Sequence, residues 1–467
     1  MAKEKNTAKE LKEKLFMDKK NAGLAMSDAE LKKADKFCEG YKAFLDAGKT
    51  EREAAIKAVE LAKKAGFSEF VAGKKYKAGD KVYYINRGKA LILAVIGKES
   101  IEKGVKILAA HIDSPRLDLK QNPLYEDNEL AFFKTHYYGG IKKYQWTTIP
   151  LALHGVIVKG DGSVVEVCIG EKDDEPVFVV TDLLPHLAQE QMKRPANKII
   201  AGEELNILIG SRPFKDDEAS ERVKLNIMNM LFEKYGIVEE DFLSAELEAV
   251  PAFKARDIGF DRSLLGAYGQ DDRVCGYTSL MATLELKSAP AKTVVTVLTD
   301  KEETGSDGNT GLQSAYLEYF IADLAEAYGV SGRAVLSASK CLSADVNAGF
   351  DPTFPDVLEK KNAAFVGKGT VLTKFTGSGG KGGTNDANAE FVGEVRKIFN
   401  DNKIAWQTAE LGKVDFGGGG TVAKYIANLN VDTIDLGVPV LSMHAPFEIT
   451  SKTDVYMTYK AFAAFIK

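Results

Sequence analysis

The stretch Val105-Lys-Ile-Leu-Ala-Ala-His111-Ile-Asp113 decides the fold, because a short continuous apolar run delivers the chain directly into a histidine. Such a run is typical of a strand that is buried on both faces of a sheet. The run Val294–Leu298 is of the same kind and leads into Thr299-Asp-Lys-Glu-Glu-Thr-Gly305. Open α/β sheets bind their ligands beyond the carboxyl ends of the strands, so both segments point to a site there.

Strand-like and helix-like patterns alternate on both sides of these runs, which predicts an α/β sheet with helices on both faces. Two capping boxes, Ser27 with Glu30 and Thr50 with Glu53, indicate helices in the N-terminal region. The other predicted strands are Val82–Ile85, Ala90–Ile96, Ala334–Ala338 and Val431–Leu436, and the other predicted helices are Val274–Leu286, Thr310–Tyr328 and Asn388–Asn400.

The stretch from Leu117 to Pro251 has a different character, since short β-rich runs are followed by a more polar and less regular segment. We interpret it as a second domain inserted into the first. The predicted organisation is a discontinuous α/β catalytic domain, residues 1–116 and 252–467, with a central mixed sheet flanked by helices. Residues 117–251 form the inserted β-rich domain. A chain of 467 residues is long enough for two such cores.

Charge and composition argue against several classes of function. The net charge is -5, whereas nucleic-acid-binding proteins usually carry a clear basic excess, so no nucleic-acid partner is expected. No apolar stretch reaches the ~20 residues that span a bilayer, and the charged N-terminal stretch lacks the apolar region of a secretory signal. The four cysteines are scattered without a CxxC pair, which fits a reducing compartment. We therefore expect a cytoplasmic protein with no membrane partner.

Histidine is scarce, with five in the chain, and two of them follow strand-like runs. His111 ends the first run, and His444 follows Val438-Pro-Val-Leu-Ser-Met443. Zinc-class ions accept mixed His, Asp and Glu ligands, and two histidines with three carboxylates can hold two ions if one carboxylate bridges them. The candidate carboxylates lie in Gln270-Asp271-Asp272-Arg273, Asp300-Lys-Glu302-Glu303 and Ser343-Ala-Asp345.

Two further features refine this hypothesis. An Asp two residues after a ligand histidine can accept the N–H of the other ring nitrogen and fix the tautomer, and Asp113 has this spacing from His111. Adjacent carboxylates on an extended backbone point in opposite directions. One of Glu302 and Glu303 can therefore bind an ion while the other faces the attacking water.

These segments, in this order, resemble the M18 family of metalloaminopeptidases, which includes the aspartyl aminopeptidases and vacuolar aminopeptidase I. The resemblance spans most of the chain, and the large insertion fits M18 better than the related M42 aminopeptidases. M18 often has Asp-Asn where this chain has Asp271-Asp272, which leaves open which aspartate bridges. The matching stretches are Ala-His111-Ile-Asp113-Ser-Pro, Gln270-Asp271-Asp272-Arg, Asp300-Lys-Glu302-Glu303-Thr-Gly-Ser, Ser-Ala-Asp345-Val-Asn and Ser-Met-His444-Ala-Pro.

The resemblance implies an aminopeptidase that removes the N-terminal residue of peptides with two divalent ions per subunit. The implied metal is zinc, with cobalt or manganese as alternatives. We count Asp113 as a catalytic residue beside the implied general base. The implied roles are that Asp271 bridges the ions, His111 and Asp345 complete one site, Glu303 and His444 complete the other, and Glu302 is the general base.

The same resemblance implies self-association. Members of the family form dodecamers built from dimers, and the inserted domain is the expected dimerisation domain. In the family, a histidine in a Pro-His-Leu setting reaches the active site of a neighbouring subunit. His186, in Leu184-Pro-His-Leu-Ala188, matches that histidine.

The preferred substrate residue is left open by the sequence. Lys374 and Lys381 belong to a glycine-rich stretch between two ligand segments, and either could pair with the carboxylate of an acidic N-terminal residue. The same lysines could serve a carboxypeptidase or deacylase on this scaffold, which is the first alternative function. The second alternative is a non-enzymatic assembly or cargo protein that retains the fold.

Overall fold

The computed structural model describes residues 7–216 and 218–467, and its strands form three sheets in a mixed α/β fold. The strands are β1 (Ser68–Glu69), β2 (Lys81–Asn86), β3 (Ala90–Val95), β4 (Lys106–His111), β5 (Arg116–Asp127), β6 (Leu130–Tyr138), β7 (Leu151–Val158), β8 (Val164–Ile169), β9 (Val179–Val180), β10 (Ile207–Gly210), β11 (Ala245–Pro251), β12 (Arg256–Ile258), β13 (Leu264–Ala267), β14 (Val294–Thr299), β15 (Lys340–Ser343), β16 (Asn347–Ala348), β17 (Thr370–Thr373), β18 (Trp406–Thr408), β19 (Asp432–Gly437), β20 (Pro439–Leu441) and β21 (Glu448–Ser451).

The helices lie mainly before and after the strands of the largest sheet. They are α1 (Ala8–Leu15), α2 (Ala22–Ala25), α3 (Asp28–Ala47), α4 (Glu51–Lys64), α5 (Arg222–Tyr235), α6 (Gln270–Leu284), α7 (Tyr316–Glu326), α8 (Gly332–Ser337), α9 (Ala389–Asp401), α10 (Ala423–Ala427) and α11 (Lys452–Ile466). Both predicted capping boxes are confirmed at the starts of α3 and α4. The predicted helices over Val274–Leu286 and Asn388–Asn400 are confirmed as α6 and α9.

The central sheet has the strand order β1-β2-β3-β14-β4-β15-β19-β17-β18. The apolar run before His111 is confirmed as β4, which lies between β14 and β15 and is parallel to both. Thr299 pairs with His111, and Ser343 pairs with Ala109. The three strands therefore end at the same edge of the sheet, and the polar segments that follow them meet there.

Helices cover both faces of this sheet. Along β3, Leu91, Leu93 and Val95 pack into a core with α3, α4, α6, α9 and α11. The alternate residues Ala90, Ile92 and Ala94 pack into a second core with α7, α8 and α10. Successive side chains of a strand point to opposite faces, so a continuous apolar run is what two covered faces require.

One predicted element was wrong, and another begins later than predicted. Ala334–Ala338 is not a strand, because Gly332–Ser337 forms α8 and the strand begins only at Lys340. A run of five small and apolar residues suits a short buried helix as well as a strand, and periodicity cannot separate the two. The helix predicted over Thr310–Tyr328 begins at Tyr316 instead. Thr310 lies in the preceding turn, where its hydroxyl donates to Asp300 Oδ2 at 2.6 Å.

Strands from Arg116 to Pro251 form a separate sheet with the order β8-β7-β11-β5-β6-β10-β9. Its core contains the fully buried Trp146 and excludes the residues that fill the two cores of the central sheet. The third sheet has the strand order β12-β13-β21-β20-β16. Its first two strands precede α6 in the chain, and the other three follow it. Among the described residues no helix is both long and apolar enough to cross a membrane.

Gly437, the last residue of β19, fixes how closely the chain after β15 approaches the sheet. A Cβ atom at this position would lie 1.7 Å from the carbonyl oxygen of Asp345. A side chain there would force the backbone of Asp345 away from its position. The absence of a side chain at Gly437 therefore allows Asp345, a candidate ligand, to lie where it does.

We predict that Gly437→Ala lowers the free energy of unfolding by about 1–3 kcal/mol, because the added methyl group overpacks this contact. Gly393→Ala is the matched control, since a Cβ there meets no atom within 4 Å and the residue lies inside α9. The control should be neutral or stabilising by up to ~1 kcal/mol. Urea unfolding measures both variants, and equal free energies would contradict the assigned contact.

Candidate metal centre

Six polar side chains converge where the parallel strands of the central sheet end. Five elements or loops supply them, and each of these begins or ends at this edge. The side chains are His111 at the end of β4, Glu302 and Glu303 in the turn after β14, Asp345 after β15, Asp271 in the first turn of α6 and His444 after β20.

Asp271 lies between the two histidines. Its Oδ1 is 3.1 Å from His111 Nε2, and its Oδ2 is 3.2 Å from His444 Nε2. The candidate ligands form two groups of three that share Asp271, with the ligand atoms of each group within 4.8 Å of one another. One group adds His111 and Asp345 to Asp271, and the other adds Glu303 and His444.

The other ring nitrogen of each histidine has a partner of its own. Nδ1 of His111 lies 3.2 Å from Asp113 Oδ1 and 3.1 Å from the Asp113 carbonyl oxygen. Nδ1 of His444 lies 2.7 Å from the carbonyl oxygen of Gly140. A proton on each Nδ1 satisfies these acceptors and leaves the Nε2 lone pair free for a metal ion.

Asp113 is fully buried and connects several parts of the centre. Its carboxylate accepts the backbone N–H groups of Glu302 and Glu303 at 3.1 and 3.2 Å. The hydroxyl of Tyr138 donates to Asp113 Oδ2 at 2.7 Å. One carboxylate therefore orients His111 and holds the turn that carries the two glutamates.

The electrostatics of the centre favour the binding of cations. Burial, with repulsion from Asp271 and Asp113, raises the pKa of Glu302 to about 7. Burial and neighbouring carboxylates also raise the pKa values of Glu303 and Asp345 well above their usual range. Glu303 Oε1 is buried and has no hydrogen-bond partner among the described residues. Divalent cations would balance this charge, and nitrogen and oxygen donors suit zinc-class ions.

Three groups that hold the centre escaped the sequence analysis. Buried Glu448 accepts the backbone N–H groups of Gln270, Asp271 and His444 at 2.6, 3.1 and 2.8 Å, so it positions two candidate ligands at once. Its sequence signal is an acidic residue four positions after His444. Tyr138 is the last residue of β6, and Gly140 follows two residues later. Nothing in the neighbouring sequence marks either residue as part of the centre.

Asp272, Lys374 and Lys381 are placed differently from the ligands. Asp272 is buried, and neither of its carboxylate oxygens has a hydrogen-bond partner in the described chain, whereas Asp271 contacts both histidines. Lys374 Nζ lies 3.5 Å from Asp386 Oδ1, and Lys381 Nζ lies 2.9 Å from Asp386 Oδ2. Both lysines are about half exposed.

His186 and a sizeable cavity also lie outside the cluster. His186 is exposed on the loop that follows β9 and belongs to neither group of candidate ligands. A cavity of about 770 Å³ is lined by Glu171, Lys254 and Phe447 among others, but by none of the candidate ligands. The positions of the candidate ligands, and not this cavity, therefore identify the candidate site.

Clustered histidines and carboxylates at the strand ends of an α/β sheet are the mark of a metallohydrolase. The model of the family described as aminopeptidase I zinc metalloprotease (M18) matches residues 44–466. The chain belongs to this M18 family, whose members are metalloaminopeptidases. Membership favours an aminopeptidase over the carboxypeptidase, deacylase and non-enzymatic alternatives.

Relatives agree with the assignment over almost the whole chain. A probable M18 family aminopeptidase 1 of Clostridium acetobutylicum is 55% identical over 460 residues, which are 97% of this chain and 99% of the relative. Crystal structures of aminopeptidase I from C. acetobutylicum and of an M18 aminopeptidase from Thermotoga maritima match with TM-scores of 0.92, at 52% and 43% identity. Each match covers 97% of this chain and 100% of the other.

A more distant structure shares the fold. The mApe1 dodecamer of Saccharomyces cerevisiae has a TM-score of 0.75 and 22% identity, and the match covers 94% of this chain and 97% of that one. The two chains therefore share the mixed α/β fold.

We predict that Tyr138→Phe weakens zinc affinity by about 10–100-fold, because Asp113 loses the donor that fixes its orientation toward His111. The matched control is Tyr137→Phe, the neighbouring and partly exposed tyrosine. Competition with a zinc chelator measures both affinities. An unchanged affinity in Tyr138→Phe would show that the hydrogen bond to Asp113 does not position the centre.

Proposed function

We propose that the protein is a two-ion aminopeptidase in which Asp271 bridges two zinc-class ions. The observation that carries this proposal is that the two oxygens of Asp271 face two different histidines, at 3.1 and 3.2 Å. His111 and Asp345 would complete one site, and Glu303 and His444 the other. When bound, such ions polarise a carbonyl oxygen and lower the pKa of water.

Glu302 is the proposed general base. Its carboxylate belongs to neither group of three candidate ligands, yet Oε2 lies 3.8 Å from His111 Nε2. Its backbone N–H is held by Asp113, so the side chain faces the centre from a fixed turn. In this position Glu302 takes a proton from the attacking water and returns it to the leaving amine.

Membership of the M18 family supports an N-terminal substrate end. Two divalent ions would balance most of the charge of the carboxylates, so net charge does not select the end of the peptide. A free α-amine is a nitrogen donor of the kind that zinc-class ions accept, and N-acetylation removes that donor. Hydrolysis of a free-amine peptide but not of its N-acetylated form is the expected outcome.

We predict that Glu302→Gln retains its metal ions but lowers kcat by about 10²–10⁴-fold, because the ligands remain while proton transfer fails. Asp307→Asn, which changes an exposed carboxylate in the same loop, is the matched control and should keep normal turnover. Steady-state kinetics with elemental analysis distinguishes the two effects. A near-normal kcat in Glu302→Gln would remove this residue from the role.

An acidic substrate residue is proposed to bind near Lys374 or Lys381. Lys374 directly follows Thr373, whose hydroxyl accepts from Asn347 Nδ2 at 3.0 Å, and Asn347 is two residues from Asp345. This series of contacts supports a position of Lys374 close to the candidate metal centre. A substrate carboxylate would replace Asp386 as the partner of one lysine.

We predict that the parent prefers Asp- and Glu-terminated peptides over Leu-terminated peptides by about ten- to a hundredfold in kcat/KM, the value of a charge-assisted contact. Lys374→Met or Lys381→Met should abolish the preference, while Lys397→Met, on the exposed face of α9, should leave it unchanged. A parent that prefers Leu, with the same ratios in both variants, would leave a neutral aminopeptidase.

Self-association is proposed as well, with the inserted sheet as dimerisation domain and dimers forming a dodecamer. The loop around His186 supports it, because Leu183, Leu184 and Leu187 are 52%, 52% and 70% exposed. An exposed apolar patch of this kind is typical of a contact surface. His186 would then complete the centre of a neighbouring subunit.

We predict that His186→Ala loses turnover without losing metal, and that mixing it with inactive Glu302→Gln restores part of the activity. In mixed assemblies an intact His186 from one variant can serve the intact Glu302 of the other. The control is a mixture of each variant with the double variant His186→Ala/Glu302→Gln, which cannot complement. Fully active monomers by light scattering would contradict both the assembly and the shared centre.

A further inference from the structure

A second cluster of potential metal ligands lies away from the centre, where α4 packs on the sheet of the inserted segment. His154 on β7 and Cys168 on β8 are direct cross-strand neighbours, so their side chains share one face of the sheet. Glu53 approaches the same face from the first turn of α4. The ligand atoms of Glu53, His154 and Cys168 all lie within 4.8 Å of one another.

The histidine at the middle of this cluster has a carboxylate on each ring nitrogen. Glu53 Oε1 lies 2.7 Å from Nδ1, and Glu171 Oε1 lies 3.1 Å from Nε2. His154 is only 2% exposed, whereas Cys168 is exposed and leaves a route from solvent. A buried imidazole and an accessible sulfur thus meet at the junction of two parts of the chain.

Ion pairing alone accounts for only part of this arrangement. Glu171 is already balanced by Lys49 and Lys254, whose Nζ atoms lie 2.5 and 2.6 Å from it. Burial would lower the pKa of His154, but its bonds to Cys168, Glu171 and Glu53 raise it to about 11. Each ring nitrogen of His154 thus lies within hydrogen-bond distance of a carboxylate oxygen. Cys168 takes no part in these ion pairs.

We propose that Glu53, His154 and Cys168 form a separate site for a zinc-class ion. The set offers one oxygen, one nitrogen and one sulfur donor, and the thiolate favours zinc over magnesium or calcium. The ion would take the place of the proton between Glu53 and His154. Glu171 would accept the remaining ring N–H and fix the tautomer, as carboxylates do for zinc-bound histidines.

Binding at this site ties two parts of the molecule together. Glu53 belongs to the helix that packs on the central sheet, and His154 and Cys168 belong to the sheet of the inserted segment. The ion replaces the protons of His154 and of the Cys168 thiol, which pass to solvent. None of these residues takes part in the catalytic centre, so the site stabilises the junction without entering the reaction.

Cobalt substitution tests the proposal, because a thiolate bound to Co²⁺ gives a charge-transfer band in the near ultraviolet and the candidate ligands of the catalytic centre include no sulfur. The purified, full-length protein is loaded with Co²⁺ until turnover is maximal. We expect the band in the parent, and its loss in Cys168→Ser and in His154→Asn. His136→Asn and Cys341→Ser are the matched controls and should retain it, as should His111→Ala, which changes only the catalytic centre.

Zinc analysis after dialysis provides the second measurement, with one ion fewer per chain expected in Cys168→Ser than in the parent and unchanged kcat. Cys168 is exposed, so its replacement by serine leaves the core intact. The absence of a charge-transfer band in the fully active cobalt protein would overturn the proposal. A band that persists in Cys168→Ser would overturn it as well, since the sulfur ligand would then be another cysteine.

Discussion

The concentration of buried carboxylates around Asp271 is the constraint on which the rest of the structure depends. Asp271, Glu303 and Asp345 share a small volume with two histidines. Burial, together with repulsion from neighbouring carboxylates, raises the pKa values of Glu303 and Asp345. Buried like charges of this kind are costly unless cations balance them. Metal binding and folding are therefore expected to be coupled in this protein.

The central sheet meets this constraint through its topology. The parallel alignment of β14, β4 and β15 brings three polar segments to one edge, and helices on both faces hold the strands in place. Residues that are not candidate ligands hold the backbone of the candidate ligands in position. Asp113 and Glu448 together hold the backbone of both glutamates, of Asp271 and of His444.

The separate sheet formed by strands between Arg116 and Pro251 contributes to the candidate centre from outside the central sheet. Tyr138, the last residue of β6, donates to Asp113, which orients His111, and the carbonyl oxygen of Gly140 contacts His444 directly. The proposed zinc site at Glu53, His154 and Cys168 lies on the same boundary at a different place. The hydrogen bonds at both places connect this sheet to the fold that carries the candidate centre.

The sequence predicts the local features of this molecule better than the distant ones. The apolar runs that lead into His111 and into the turn with Glu302 predict buried strands and the sheet edge where they end. These features can be predicted because each apolar run and the polar residues after it are contiguous in the sequence. Ala334–Ala338 was misassigned because so short a run lacks a decisive period. Tyr138 could not be found, since its partner Asp113 is distant in sequence and only the fold brings them together.

The central claim is that Asp271 bridges two ions, and X-ray diffraction at the zinc absorption edge tests it most directly. Crystals grown with zinc should show two anomalous peaks beside Asp271, each about 2.0–2.2 Å from a different carboxylate oxygen. A single peak, or two peaks of which only one contacts Asp271, would contradict the account.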